Sequence, residues 1–155
     1  MMLTETTGYD CLEMALRIRP HDAQEVKYMH PGRDLADVFD EQRRDMSDSF
    51  LSLRHKNSLL GIAGCPEVKE DVGCPWFLGT EEVSKYPVAF HKFALKVLEG
   101  WKAKYNYLSN YVWEGSPSIE WLQRIGFTIQ TDSVYITPTG GSFYKFDMIG
   151  GFTNV

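Results

Sequence analysis

Ser109–Phe127 reads SNYVWEGSPSIEWLQRIGF, and its two halves carry different periods. Tyr107 to Trp113 is aromatic and β-branched, which suits a mostly buried strand. Gly115-Ser116-Pro117 then breaks the strand. Ser116 is placed to cap a helix and Pro117 to take its first position, where a missing N–H costs nothing. Ile119, Leu122 and Ile125 recur on one helical face, and Gly126 supplies a left-handed stop before Phe127. A strand therefore runs straight into a short helix whose first amides point out at the strand's end. Such a seam can serve an anionic or acyl ligand, or it can merely join two elements.

Upstream lies the longest helix, with Pro87 at its start and Phe90, Ala94, Val97, Leu98, Trp101 and Tyr105 at helical spacing. His91, Lys92, Lys96, Glu99 and Lys102 fill much of the remainder and read as a solvated face. Downstream, Phe127–Thr137 and Ser142–Met148 read as strands around Pro138-Thr139-Gly140-Gly141. Phe50–Arg54 and Ser58–Gly64 form a hairpin about Lys56-Asn57-Ser58. After an acidic loop, Glu67–Asp71, comes a strand Val72–Gly79. Pro75 has no N–H to give a ladder, so an edge, a bulge or an interrupted pairing is expected there.

In the first third, residues 1–13 read as a loose segment and Met14–Arg19 as a first strand. Asp22 and Glu25 read as a helix cap and the acid that reaches back to it, and Pro31-Gly32 closes that helix. A second helix is expected from Asp34 to Ser49, with Leu35, Val38, Phe39 and Met46 inside. The tail 150–155, GGFTNV, reads as flexible. The order is strand, two helices, three strands, long helix, strand, short helix, two strands. That is an α/β chain with a mixed sheet.

Composition narrows the classes. A chain of 155 residues that is 43% hydrophobic and 14% aromatic fits one globular domain. Twenty-one acids against 16 bases, a net charge of −5, give no basic footprint for nucleic acid. Cys11, Cys65 and Cys74 lack the spacing of a metal or redox site and read as free thiols of a reducing cytoplasm. The opening MMLTETTGYDCLEMALRI has neither a basic start nor a long apolar run, so it reads as neither leader nor membrane span.

Three stretches carry a resemblance. ALRIRPHDAQEV resembles the opening strand and helix of GNAT-type N-acyltransferases, SLLGIAGCPE is similar to their hairpin strand, and SIEWLQRIGF looks like their late helix. NYVWEGSPSIEWLQRIGF, with the long basic helix before it, is closer still to small GNAT-like proteins of short-tailed bacteriophages, which include an internal virion protein. The resemblance spans roughly 14–149 and implies a single GNAT-like domain there, an α/β fold with the element order β-α-α-β-β-β-α-β-α-β-β, a mixed central sheet and helices on both faces.

What it implies for function is acetyl transfer from acetyl-CoA to an amine of a host protein or metabolite, without a metal. The alternative is a degenerate scaffold that binds a host or virion protein in the host cytoplasm or in the particle. Acyl-CoA would lie where the strands ending at Phe77-Leu78-Gly79 and at Val112-Trp113-Glu114 part, since main-chain groups left unpaired in such a gap need partners. On that footing Phe77, Leu78, Gly79, Asn110, Ser116 and Ser118 are expected cofactor contacts, Lys85 an expected phosphate partner and Glu114 the expected general base. Two departures stand out. Thr80–Pro87 has Glu81 and Glu82 where the family has a glycine-rich pyrophosphate loop, and Leu122 stands where a proton-donating tyrosine is common. Should Trp76, Phe77, Tyr111, Trp113 and Trp121 be exposed around that gap, a protein-binding surface is expected.

Overall fold

A computed structural model describes residues 1–151; the last four residues of the expected flexible tail lie outside the described residues. The strands fall into two ladders. In the first, β1 (Met2–Glu5), β2 (Leu51–His55), β3 (Ser58–Gly64) and β6 (Trp76–Gly79) pair antiparallel in that order. In the second the order is β4 (Glu67–Lys69), β5 (Val72–Gly73), β7 (Tyr107–Trp113), β9 (Ser142–Ile149) and β8 (Thr128–Ile136), with only β5 and β7 parallel. The expected strand Val72–Gly79 is thus two strands in two ladders, and the break falls at Cys74-Pro75, as the missing proline N–H requires.

Helices cover both faces. α1 (Gly8–Arg17), α2 (Pro20–Met29) and α3 (Leu35–Asp45) enclose one core with β2, β3 and β6, built on Met14, Val26, Phe39, Phe50, Leu59 and Ile62. α4 (Pro87–Lys104) and α5 (Ile119–Arg124) cover the second ladder over Leu98, Tyr105, Leu108, Val112, Phe127 and Phe146. A third cluster, Leu53, Leu60 and Val83, packs with Phe77, Phe90 and Phe93. A bulge where the β2–β3 register slips, between Leu53 and Arg54, lets Leu59 and Ile62 share one core while Leu60 faces the other.

Four readings of the first third, and one beyond it, need correction. Residues 2–5 form an edge strand on β2, with Met2 opposite Arg54, and residues 8–13 already belong to α1. Thr7 caps that helix: its hydroxyl accepts the Asp10 N–H while the Asp10 carboxylate accepts the Thr7 N–H. The strand expected at Met14–Arg19 is the second half of α1. Its apparent alternation Met14-Leu16-Ile18 misleads because Leu16 is 87% exposed, whereas Cys11, Met14 and Ile18 meet the core at helical spacing. The Asp22–Glu25 cap pair does not form either. α2 starts at Pro20, so both acids lie inside it and reach other strands. α3 closes at Asp45, with Ser47–Ser49 a separate 3₁₀ turn, and Glu67–Lys69 of the expected acidic loop pairs as β4.

Candidate functional site

The second ladder and the first meet at a fork. β5 runs beside β7 through Val72–Tyr107 and Gly73–Leu108; the chain then crosses at Pro75 to pair with β3 as β6. The expected parting of neighbouring strands is present, and it begins at Cys74, ahead of Leu78. Asn110 sits in the crotch. Its Nδ2 donates to the Pro75 carbonyl at 2.9 Å and its Oδ1 accepts the Tyr111 N–H at 2.7 Å, so this side chain already serves both strands.

At the mouth of the fork stands the first turn of α2. The Arg19 N–H donates to the Gly79 carbonyl at 2.9 Å, and the Asp22 carboxylate accepts the Gly79 N–H at 2.8 Å. Arg19 closes an ion pair with Asp22 at 2.8 Å and lies 5.6 Å over the Phe77 ring. A Cβ on Gly79 would come within 2.7 Å of Arg19 Nε, which explains the glycine there. On the other arm, Glu25 Oε1 accepts the Trp113 N–H at 3.1 Å. Thr80 donates its N–H to the Leu60 carbonyl, so antiparallel alternation turns the main-chain groups of Leu78 to β3 and those of Phe77 and Gly79 to the gap. Of the three expected main-chain contacts, Gly79 is in use and Leu78 faces away; Phe77 faces the gap.

A cavity of about 1000 Å³ follows the gap from α2 and α3 to α4 and α5. Phe77, Phe90 and Trp121 stack along one wall at centroid spacings of 4.9 and 5.4 Å. Trp121 Nε1–H donates to His91 Nδ1 at 3.1 Å, so a neutral His91 carries its proton on Nε2. Leu78, Ser116 and Ser118 also line the cavity. Ser116 is buried, and its hydroxyl accepts the Ser118 N–H in a turn ahead of α5; the helix opens at Ile119, so Ser118 and not Ser116 holds the cap position, without a side-chain cap bond, and Pro117 lies before the helix.

The acids are arranged differently from the sequence expectation. Glu114 is exposed in the turn after β7 and does not line the cavity; its N–H donates to the Ser142 carbonyl at the start of β9. Glu25 does line it. Burial pushes its carboxyl up to about 7 and the Asp22 charge adds to this, against the opposing pull of the Trp113 N–H and Arg19. Beside it, burial lowers the His21 pKa, and His21 Nε2 has no hydrogen-bond partner among the described residues. The signal for Glu25 was Pro20: a helix that starts there places Asp22 and Glu25 three apart on one face.

The segment where the resemblance requires a phosphate cradle is a closed 3₁₀ turn, Glu81–Lys85. Val83 donates its N–H to Thr80 and Tyr86 to Val83, and the Thr80 hydroxyl donates to the Leu59 carbonyl. Glu82 is held by Arg17 at 3.0 Å and by Lys85 at 2.9 Å, so the expected phosphate partner Lys85 already carries an acid. These residues do not fit a CoA pyrophosphate in its usual place, since the segment has no glycine, the Val83 and Tyr86 N–H groups are spent inside it, and Glu81 and Glu82 bring negative charge. Among the described residues no cluster of three metal-binding side chains occurs, and no helix is long and apolar enough to cross a membrane.

No family model and no curated protein matches the sequence. Solved structures do. Ard1 from Thermoplasma volcanium superposes with a TM-score of 0.69 at 15% identity, over 96% of this chain and 97% of that one. A spermidine N-acetyltransferase, SpeG, from Vibrio cholerae gives 0.68 at 8% identity, over 96% and 95%. A ribosomal-protein-alanine N-acetyltransferase from Brucella melitensis gives 0.64 at 11%, over 96% and 99%. The likeness is end to end, and the chain has the fold of the GNAT N-acetyltransferases.

Proposed function

We propose that this chain is a GNAT-fold binding protein, in which an acetyltransferase scaffold holds a protein partner without acetyl-CoA in its usual place. The resemblance to small phage proteins supports a host or virion protein as that partner, met in the host cytoplasm or in the particle. The observation that carries the reading is the 3₁₀ turn Glu81–Lys85, where the Val83 and Tyr86 N–H groups donate to carbonyls of the same segment and two acids stand in the stretch that the resemblance would make a phosphate cradle. Calorimetric titration with acetyl-CoA is expected to give no saturable heat. Micromolar binding would overturn the reading.

A second reading keeps transfer of an acyl group to an amine, and one observation favours it. A carboxyl pushed up to about 7 inside the cleft is well matched to take a proton from an amine at neutral pH. In that case acetylation of an amine is detectable by mass spectrometry and is abolished by Glu25→Gln. Glu114→Gln, at the base nominated by sequence, separates the two acids: loss of transfer there, with Glu25→Gln active, returns the role to Glu114.

A further inference from the structure

The second ladder has two outer strands, and they differ in how they meet water. β4 carries Glu67 and Lys69, charges of the kind that keep a free edge from pairing. The far end of β8 has no such guard. Asp132 sits in the bulge where the β8–β9 register slips between Gln130 and Val134. From Ser133 to Tyr144 no residue is charged, in a chain that is 24% charged. Past the bulge, Val134, Tyr135 and Ile136 follow one another, 46%, 46% and 65% exposed. Single exposed apolar side chains are ordinary, but three in a row on an outer strand are a template for pairing.

Alternation decides which main-chain groups are free there. The Thr137 N–H donates to the Gly141 carbonyl at 2.8 Å, so Thr137 turns inward to the hairpin. Two residues back, Tyr135 turns inward to Phe143, which leaves the N–H and C=O groups of Val134 and Ile136 pointing out of the sheet. Outside the ladder, no main-chain bond among the described residues involves either of them.

We propose that β8 is a dimer edge, on which a second copy of this chain lays its own β8 antiparallel about a two-fold axis at Tyr135. Val134 then stands opposite Ile136 of the partner subunit, and Ile136 opposite the partner's Val134. Both pairs are of the hydrogen-bonded kind, so the outward N–H and C=O groups of the two copies satisfy one another. Tyr135 meets the partner's Tyr135 in the closer, non-bonded pair between them. Tyr111 already packs on Tyr135 at 5.9 Å, so a row of four tyrosines crosses the axis. Asp132 falls opposite the partner's Pro138, and no like charges are brought together. The occupant is a second copy because this edge is its own complement in bonding, side chains and charge. The bulge at one end and Pro138 at the other keep the pairing short, so the dimer is a weak one. The proposal does not rest on the reading of the cleft, and acetyl-CoA binding in the calorimeter bears on that reading alone.

Sedimentation velocity on the full chain, from about 5 to 500 µM, is expected to show monomer passing to dimer with a midpoint on the order of 50 µM. Ile136→Pro removes an outward N–H and no bond within the ladder, and is expected to raise the dissociation constant at least about tenfold. Val134→Lys puts a charge on the edge and is expected to act in the same direction, which keeps the test open if the proline variant does not fold. Amide exchange read by NMR is expected to slow at Val134 and Ile136 as the parent is concentrated, and to stay fixed at Tyr135. A chain that remains monomeric over the whole range overturns the proposal. So does a dimer that the folded variants leave intact, or one whose Val134 and Ile136 amides exchange at a rate independent of concentration.

Discussion

Glu25 has an ordinary carboxyl pKa of 4.5 and a folded value of about 7, raised first by burial. Between those values the folded chain keeps a proton that the unfolded chain releases. Stability from this group is therefore full below about 4.5 and is lost as pH rises through 7, by up to about 3 kcal/mol. Glu25→Gln cannot ionise and can still accept the Trp113 N–H. It is expected to match the parent in urea denaturation near pH 4.5 and to exceed it by about 2–3 kcal/mol at pH 8; a difference independent of pH would refute the assignment. The same residue shows why the site was only half legible. Asp22 and Glu25 stand three apart whether they cap a helix or project from its side, and only the starting residue decides. Asn110 was visible as a polar residue in an aromatic strand, but its Pro75 partner lies 35 positions away. Asn110→Ala leaves that carbonyl and the Tyr111 N–H without their bonds, at a cost of about 1–3 kcal/mol in the same assay.

At the scale of elements, the turn of β2–β3, the stripe of α4 and the stop of α5 were read correctly, while remote pairings and the helical period of α1 were missed. The β2–β3 hairpin follows from two left-handed residues, Lys56 and Asn57, and α4 follows from its apolar stripe and Pro87. α5 ends as expected at Gly126, whose φ of 111° is followed by bonds from Gly126 N–H to Gln123 at 3.1 Å and from Phe127 N–H to Leu122 at 3.0 Å. A side chain at that φ is strained, and its Cβ would sit 3.1 Å from Met148 Cε. Gly126→Ala is expected to cost about 1–2 kcal/mol in thermal denaturation, and no loss of stability would contradict the left-handed stop. β1 was not legible, because the pairing that orders it joins Met2 to Arg54 and nothing within four polar-flanked residues announces that partner. α1 was concealed for another reason: exposed Leu12 and Leu16 dilute the apolar period that Cys11, Met14 and Ile18 carry.

For the molecule as a whole, the resemblance carried the expectation of parting strands, and Pro75 that of an edge, a bulge or an interrupted pairing. They could not reveal which groups fill the division, since the Gly79–Asp22 and Trp113–Glu25 bonds span 57 and 88 positions. The solved structures share the fold at 8–15% identity, so the architecture outlasts nearly all of the residues that build it. Mechanically, the protein is two stiff plates stitched along a short seam of two β5–β7 pairs, with Asn110 as a rivet and the two acids of α2 as guy lines. Force applied between β2 and β9 in an optical trap should tear that seam first, giving an extension step before either plate unravels, and Asn110→Ala should lower the load at which the step occurs.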